Sequence, residues 1–384
     1  MTLHFSDSEF AARKTAVMAE MQKSGLDAML IFRQESMYWL TGYDTFGYVF
    51  FQTLVLTADG KIVLMTRAPD LRQAQNTSNI ADIRIWVDRD GASPADDLRD
   101  ILIELGLKDG KFGVEYEAYG LTGRNAMRLN KALDGFGTLI DESEIISRLR
   151  LVKSPDEIAY IKRAGELSDA ALDAAYALAK PGADEGEILA AMQGVIFAGG
   201  GDYPANEFII GSGKDALLCR YISGRKILQD EDQLTLEWAG AYRHYHAAMM
   251  RTIPIGRALD AHIDMHAACV EALEACHDAF RVGNTVGAVF DAHARVMDAR
   301  GYNHARLNAC GYSMGATFAP NWMDWPMFYH GNPVVLEQGM AFFMHMILMD
   351  SESGAAMNLG ESFVLEENGG TRLSTSSRDL FVGE

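Results

Sequence analysis

Leu234-Thr-Leu-Glu-Trp-Ala-Gly-Ala-Tyr-Arg-His-Tyr-His-Ala-Ala-Met-Met-Arg-Thr252 decides how this chain is read. It holds two apolar runs on either side of a short polar segment, the pattern of paired strands. Glu237 stands on an otherwise apolar run of Leu234, Leu236 and Trp238. Burying a carboxylate there is costly without a purpose, so Glu237 is the first candidate for chemistry. Successive strand residues face opposite sides, so His246 shares the face of Ala248. His244 shares it too, nearer the turn.

Outward from this stretch, the C-terminal part opens at Lys153-Ser-Pro-Asp-Glu-Ile158. Ser154 can cap a helix that begins at Pro155, with Glu157 reaching back in a capping box. That helix is expected to run to about Ala179, where Pro181-Gly182 stops it. Asp184 and Glu187 repeat the device for the next helix. Further helices are expected near Leu259–Ala279 and Thr285–Arg300. The N-terminal part alternates instead: an amphipathic helix over Asp7–Ser24, a buried strand at Ala28–Phe32, and a hairpin of Phe50–Thr57 with Lys61–Thr66 across Ala58-Asp59-Gly60. Strand-like runs at Ile83–Val87 and Lys111–Glu115 bracket a helical stretch around Asp96–Leu105. These patterns divide the chain into an α/β domain over 1–150 and a second domain over 151–384.

Composition narrows the function. The 384 residues are 48% hydrophobic, enough for a large core in two domains. With 34 Lys and Arg against 53 Asp and Glu, the net charge is −19, which argues against a nucleic-acid partner and mildly favours a cationic or zwitterionic small substrate. No run of eighteen apolar residues spans a membrane, and the first residues do not read as a secretory signal. Four cysteines without metal-knuckle spacing fit a reducing cytoplasm.

The ordered landmarks resemble the pita-bread family of creatinase, prolidase and methionine aminopeptidase. They are Tyr38-Trp-Leu-Thr-Gly-Tyr43, Lys153–Ile158, Ile210-Gly-Ser-Gly213, Arg251-Thr252, Gly311–Gly315, Leu336-Glu-Gln-Gly-Met340 and Glu361–Leu365. The resemblance covers nearly the whole chain and implies a creatinase-type α/β domain, a pita-bread domain and a homodimer. It also implies a centre of two metals held by two Asp, one His and two Glu, with a bridging water as nucleophile. At those positions this chain has Glu237, Ala248, Tyr312, His345 and Gly360, with Glu361 one place along. The offset turns Glu361 to the opposite face unless a bulge re-aims it. Where relatives place a substrate-contacting His after the Gly-Ser-Gly segment, this chain has Arg220.

No cofactor is therefore expected. Glu237 is expected as nucleophile or base, His246 and His345 as proton carriers, and Tyr312 as donor to developing negative charge. Arg220, Tyr221, His244, Trp322 and Glu361 are candidate substrate contacts, Arg220 as a clamp for a carboxylate. Glu237-x-Ala-Gly240 with Tyr245-His246, Gly311-Tyr-Ser-x-Gly315 with Pro320-x-Trp322, and Glu361-Ser362 resemble most the metal-ligand-less branch with creatinase and the ectoine hydrolases. That branch implies hydrolysis of a C–N bond in a small amidine or amide-like metabolite. The chain departs from it in lacking a His two residues before His345 and in Trp322–His330.

Two rival readings stay open. Glu237, His246 and His345 could hold one transition ion in a divergent Xaa-Pro metallopeptidase. Alternatively, the chain is a non-catalytic binding protein on the same fold. His262 and His266, four apart on a helix, read as surface or capping residues. Met323, Trp325, Met327, Phe328 and Tyr329 read either as core or dimer packing, or as an aromatic cage for a cation.

Overall fold

Ser154 begins the C-terminal unit as its spacing indicates. Its side chain accepts from the Glu157 N–H while Glu157 bonds back to the Ser154 N–H, and Pro155 is the first helical residue. In this computed structural model, residues 3–220 and 224–384 are described. Contacts divide the chain into two units, Met1–Arg150 and Leu151–Glu384.

The first unit is a mixed α/β domain. Its elements are α1 (Asp7–Ser24), β1 (Ala28–Ile31), α2 (Gln34–Thr41), β2 (Thr53–Thr57), β3 (Ile62–Arg67), α3 (Leu71–Thr77), β4 (Asp82–Trp86), α4 (Pro94–Glu104), β5 (Lys111–Val114), α5 (Gly123–Leu133), β6 (Thr138–Asp141) and α6 (Ile145–Leu151). The six strands order as β4-β3-β2-β1-β5-β6. Central β1 is buried along its whole length, and its pleat feeds two cores. Ala28 and Leu30 pack with Val55, Phe112 and Leu98, whereas Met29 and Ile31 pack with Leu54, Leu64 and Val17. Burial on both faces explains why this run carries no polar alternation.

The second unit, a pita-bread domain, contains α7 (Pro155–Leu178), α8 (Glu185–Ala198), β7 (Ile209–Ser212), β8 (Asp232–Tyr242), β9 (Tyr245–Ile255), α9 (Asp260–Ala279), α10 (Val286–Ala299), β10 (Gly311–Ser313), β11 (Asp324–Met327), β12 (Ala341–Asp350), β13 (Ala355–Glu366) and β14 (Gly369–Arg372). An antiparallel sheet runs β11-β10-β12-β13-β9-β8-β7, with β14 on β13. Helices cover one face. Trp238 donates to the Ser168 carbonyl of α7, and the Cys269 thiol of α9 points at the Met346 and Met357 carbonyls. Gly240 allows α7 to come this close, since a Cβ there would lie 2.1 Å from the Ala164 carbonyl oxygen. The β8–β9 hairpin closes on Arg243 and His244, both left-handed (φ 51° and 65°), the conformation of a two-residue type I′ turn. Among the described residues, no helix is long and apolar enough to cross a membrane.

Candidate active site

The face of the second sheet away from α7 and α9 carries the candidate chemistry. Directly paired residues in an antiparallel sheet share a face. Register therefore sets Ile209, Glu237, Met250, Gly360 and His345 in one row across β7, β8, β9, β13 and β12. On this face, Ala239 opposes Ala248, and Ser362, Phe343 and Tyr312 pair in turn. All five positions that the family resemblance marked for metal ligands thus lie on a single face.

Glu237 is buried at 9% exposure, and its carboxylate Oε1 accepts from the Tyr312 hydroxyl at 3.1 Å. The Trp322 indole N–H donates to that hydroxyl oxygen at 2.8 Å. Trp322 therefore orients Tyr312, and Tyr312 orients Glu237. Burial pushes the Glu237 carboxyl up from 4.5 to about 7, against the pull of the Tyr312 hydrogen bond and the Arg220 charge. Burial, and then the neighbouring Glu237 charge, hold the Tyr312 phenol well above its ordinary range. At neutral pH this carboxyl lies near its midpoint, able to give or take a proton.

His345 lies in the row of Glu237, its ring 5.8 Å from that of Tyr312. Burial lowers its pKa to about 4, so the ring is neutral, and its Nδ1 is sealed from solvent without a partner. His246 is placed differently from expectation. Its Nε2 accepts from the Ala205 N–H at 2.9 Å and its Nδ1 meets the Thr317 hydroxyl at 3.1 Å, which puts the neutral ring's proton on Nδ1. With both nitrogens engaged and burial lowering its pKa to about 3, His246 anchors two loops to β9 and is not a free proton carrier.

Other candidates separate in the same way. Glu361 is corrected outright: it faces away from Glu237, wholly buried among Arg251, Arg372 and Arg378. No bulge re-aims it, because β12 and β13 stay in unbroken register from Ala341 to Asp350. His244 sits in the hairpin turn, its ring stacked 4.2 Å from Phe318, away from the Glu237 row. Trp322 is 1% exposed, and its indole N–H is engaged by the Tyr312 hydroxyl. Arg220 is exposed, yet close enough for its charge to act on both Glu237 and Tyr312. Tyr221 lies outside the described residues. Of the aromatic segment, Phe328 packs in the core against Phe342 (ring centroids 4.5 Å apart) and Phe280. His262 is a buried cap of α9, bonded to the Leu259 N–H and to Gln233.

Sequence reading missed two features of this face. Asn358 donates from Nδ2 to the Thr235 and Thr252 hydroxyls, while its Oδ1 is buried without a partner. Strand alternation from Gly360 could have found it. The Phe343 ring covers Gly360, where an added Cβ would meet it at 2.6 Å.

The inherited positions do not fit a two-metal centre. Ala248 and Gly360 offer no donor, the Tyr312 phenol is engaged by Glu237 and Trp322, and Phe343 fills the space a side chain at 360 would need. Among the described residues, no three His, Cys, Asp or Glu side chains cluster so as to hold an ion.

Fold and site together define a pita-bread hydrolase scaffold, and sequence comparison agrees. Metallopeptidase family M24 matches residues 159–373, and the creatinase/prolidase N-terminal domain matches 13–152. The chain belongs to metallopeptidase family M24, a family of hydrolases. It is similar to a Halomonas elongata protein named ectoine hydrolase, 27% identical over all of this chain and 99% of that one. An Xaa-Pro dipeptidase of Pyrococcus furiosus is 24% identical over 62% of this chain and 67% of its own. Among solved structures, a prolidase from Thermococcus sibiricus superposes with a TM-score of 0.87 at 19% identity, covering 97% of this chain and 99% of that one. A Pyrococcus horikoshii dipeptidase does so at 0.84 and 22%, covering 96% and 99%. These structures share the fold.

Proposed function

We propose that this chain is a metal-independent hydrolase of a C–N bond in a small amidine- or amide-like metabolite, zwitterionic or carboxylate-bearing. The observation that carries this reading is the buried Glu237, held by Tyr312 and Trp322 at an inherited ligand position whose partner ligands are gone. The full-length similarity to a protein named ectoine hydrolase supports C–N chemistry outside ordinary peptide bonds.

In this reading the Glu237 carboxylate attacks the electrophilic carbon or deprotonates the water that does. The proton that Glu237 takes from water passes to the departing nitrogen, with the neutral His345 ring beside the same row, and Arg220 holds the substrate carboxylate. A cationic amidine near Glu237 would favour its ionised form as the substrate binds. The four free cysteines support a reducing, cytoplasmic setting.

The test begins with protein purified without affinity metals or chelators. Elemental mass spectrometry is expected to find less than about a tenth of an ion per chain. Cyclic amidine carboxylates, ectoine among them, and guanidino and ureido acids are then screened for ring opening or hydrolysis. Glu237→Ala is expected to abolish turnover with an unchanged circular dichroism spectrum, and intact mass of stalled reactions separates covalent attack from base catalysis. About one tightly bound ion per chain, or full activity in Glu237→Ala, would overturn the reading. The former outcome would favour an Xaa-Pro type of metallohydrolase.

A further inference from the structure

The site face allows its side-chain hydrogen-bond donors to be traced one by one. In the Glu237 row and the two rows that flank it, the polar side chains are Glu237, Tyr312, His345, Ser362 and the Asn358–Thr235–Thr252 group. Tyr312 donates to Glu237, and Ser362 donates to the Ala248 carbonyl. The Asn358 amide donates to the Thr235 and Thr252 hydroxyls, which lie 3.1 Å from each other. His345 is different. Its Nδ1 is sealed without a partner, whereas its Nε2 is neither sealed nor bonded, in a residue 7% exposed. Among the described residues of these rows, that Nε2 is the uncommitted nitrogen.

The seal decides where the ring keeps its proton. An orphaned buried N–H is rarer in folded proteins than an acceptor left short. The single proton of the neutral ring therefore sits on Nε2, and His345 meets the site as a donor. Burial, which lowers its pKa to about 4, keeps that donor neutral. Tyr312 links it to the base: the Tyr312 hydroxyl is 3.1 Å from Glu237 Oε1, and its ring is 5.8 Å from that of His345. The Phe343 ring, 5.5 Å from His345 and 5.4 Å from Tyr312, makes the surroundings apolar. In such surroundings a hydrogen bond to developing charge is strengthened.

We propose that the His345 Nε2–H donates to the carbonyl oxygen at the substrate's reacting carbon, and that the substrate is therefore a cyclic amide or ureido acid rather than an amidine. The inference rests on the preceding reading of Glu237 as base and narrows its substrate class. As Glu237 takes a proton from water, the water oxygen bonds to the carbonyl carbon. The C=O electron pair moves onto its oxygen, which accepts from the Nε2–H. That pair returns as the C–N bond breaks, and the departing nitrogen takes the proton from Glu237. One water is consumed, His345 transfers no proton, and both side chains end as they began. An amidinium presents only N–H groups, which would meet this donor head-on, and its water adduct carries no negative oxygen to hold.

The test uses the full chain labelled with nitrogen-15 histidine at neutral pH. His246, whose Nε2 accepts from Ala205, is the internal standard for an Nδ1–H ring. His345, assigned with His345→Gln, is expected to be a neutral Nε2–H ring; an Nδ1–H ring or an imidazolium would overturn the donor. The kinetic probes are ectoine, a cyclic amidine carboxylate, and its cyclic urea counterpart, in which C=O replaces the amidine carbon and its methyl group. The urea is expected to be hydrolysed, and the amidine at least about tenfold more slowly. His345→Leu is expected to lower kcat on the urea about 100-fold or more, with KM within about threefold. His345→Gln, whose amide N–H reaches the same place, is expected to recover at least about tenfold of that loss. Equal losses in the two variants, or faster turnover of ectoine that His345→Leu leaves intact, would overturn the proposal while Glu237-dependent hydrolysis stood. Turnover surviving in Glu237→Ala would sink the hydrolase reading instead, and the tautomer would still decide whether His345 is a donor.

Discussion

Glu237 concentrates the tension of this molecule in one side chain. A carboxyl that ionises at about 7 when folded and at 4.5 ordinarily keeps its proton longer in the folded chain than in the unfolded one. Folding then takes up a proton between those values, and stability falls as pH rises through that window. At ~1.36 kcal/mol per unit, the loss above pH 7 totals about 3 kcal/mol. Glu237→Gln is therefore expected to be more stable than the parent at pH 8, by up to about 3 kcal/mol, and equally stable below about pH 4. Urea unfolding at both pH values checks this, and equal midpoints at pH 8 would show that the carboxyl is not strained by burial. Arg220 offers a second handle. Its charge lowers the Glu237 pKa, so Arg220→Met is expected to move the acid limb of kcat/KM upward and to raise KM for carboxylate substrates. Arg220→Lys keeps the charge without the planar fork, so it should restore the limb but not KM. Identical KM in all three proteins would remove Arg220 as the clamp.

Strand register, at the scale of elements, sorts what one-residue spacing leaves ambiguous. Glu361 and Gly360 are neighbours in the chain, yet one joins an arginine cluster and the other lies under Phe343 on the opposite face. The lost ligand positions are therefore filled as well as mutated. Ala248→Asp with Gly360→Glu is expected to bind no more metal than the parent, because the Phe343 ring occupies the space a side chain at 360 needs. Adding Phe343→Ala removes the ring and leaves the Met250 Cβ at 2.9 Å from the new Cβ, so equilibrium dialysis against manganese should then register a partial gain. Tight binding by the double variant alone would show that Phe343 gives way easily. The Ser154 capping box, the α1 boundaries and the β2–β3 hairpin were legible beforehand, since each depends on contacts within a few residues. The short helices α2 and α3 carried no comparable signal: α2 is buried on nearly all sides, and α3 is only seven residues long.

For the whole molecule, which carries a net charge of −19, we propose that it works as a homodimer. Light scattering after size exclusion should give about twice the chain mass, and a monomer that is fully active would refute the dimer. The sequence alone determined the division into two domains, the helix starts and the singular position of Glu237, because apolar periodicity, caps and a misplaced carboxylate are local facts, while the pita-bread scaffold and the loss of the inherited ligands followed from the resemblance of its ordered landmarks to the family. Only tertiary structure decided which candidates meet. It joined Glu237, Tyr312 and Trp322 across 85 residues of chain, from 237 to 322. It satisfied both nitrogens of His246 and turned Glu361 away. The physical reason is that hydrogen-bond satisfaction and desolvation belong to three-dimensional neighbourhoods, and distant strands create those only when the sheet forms.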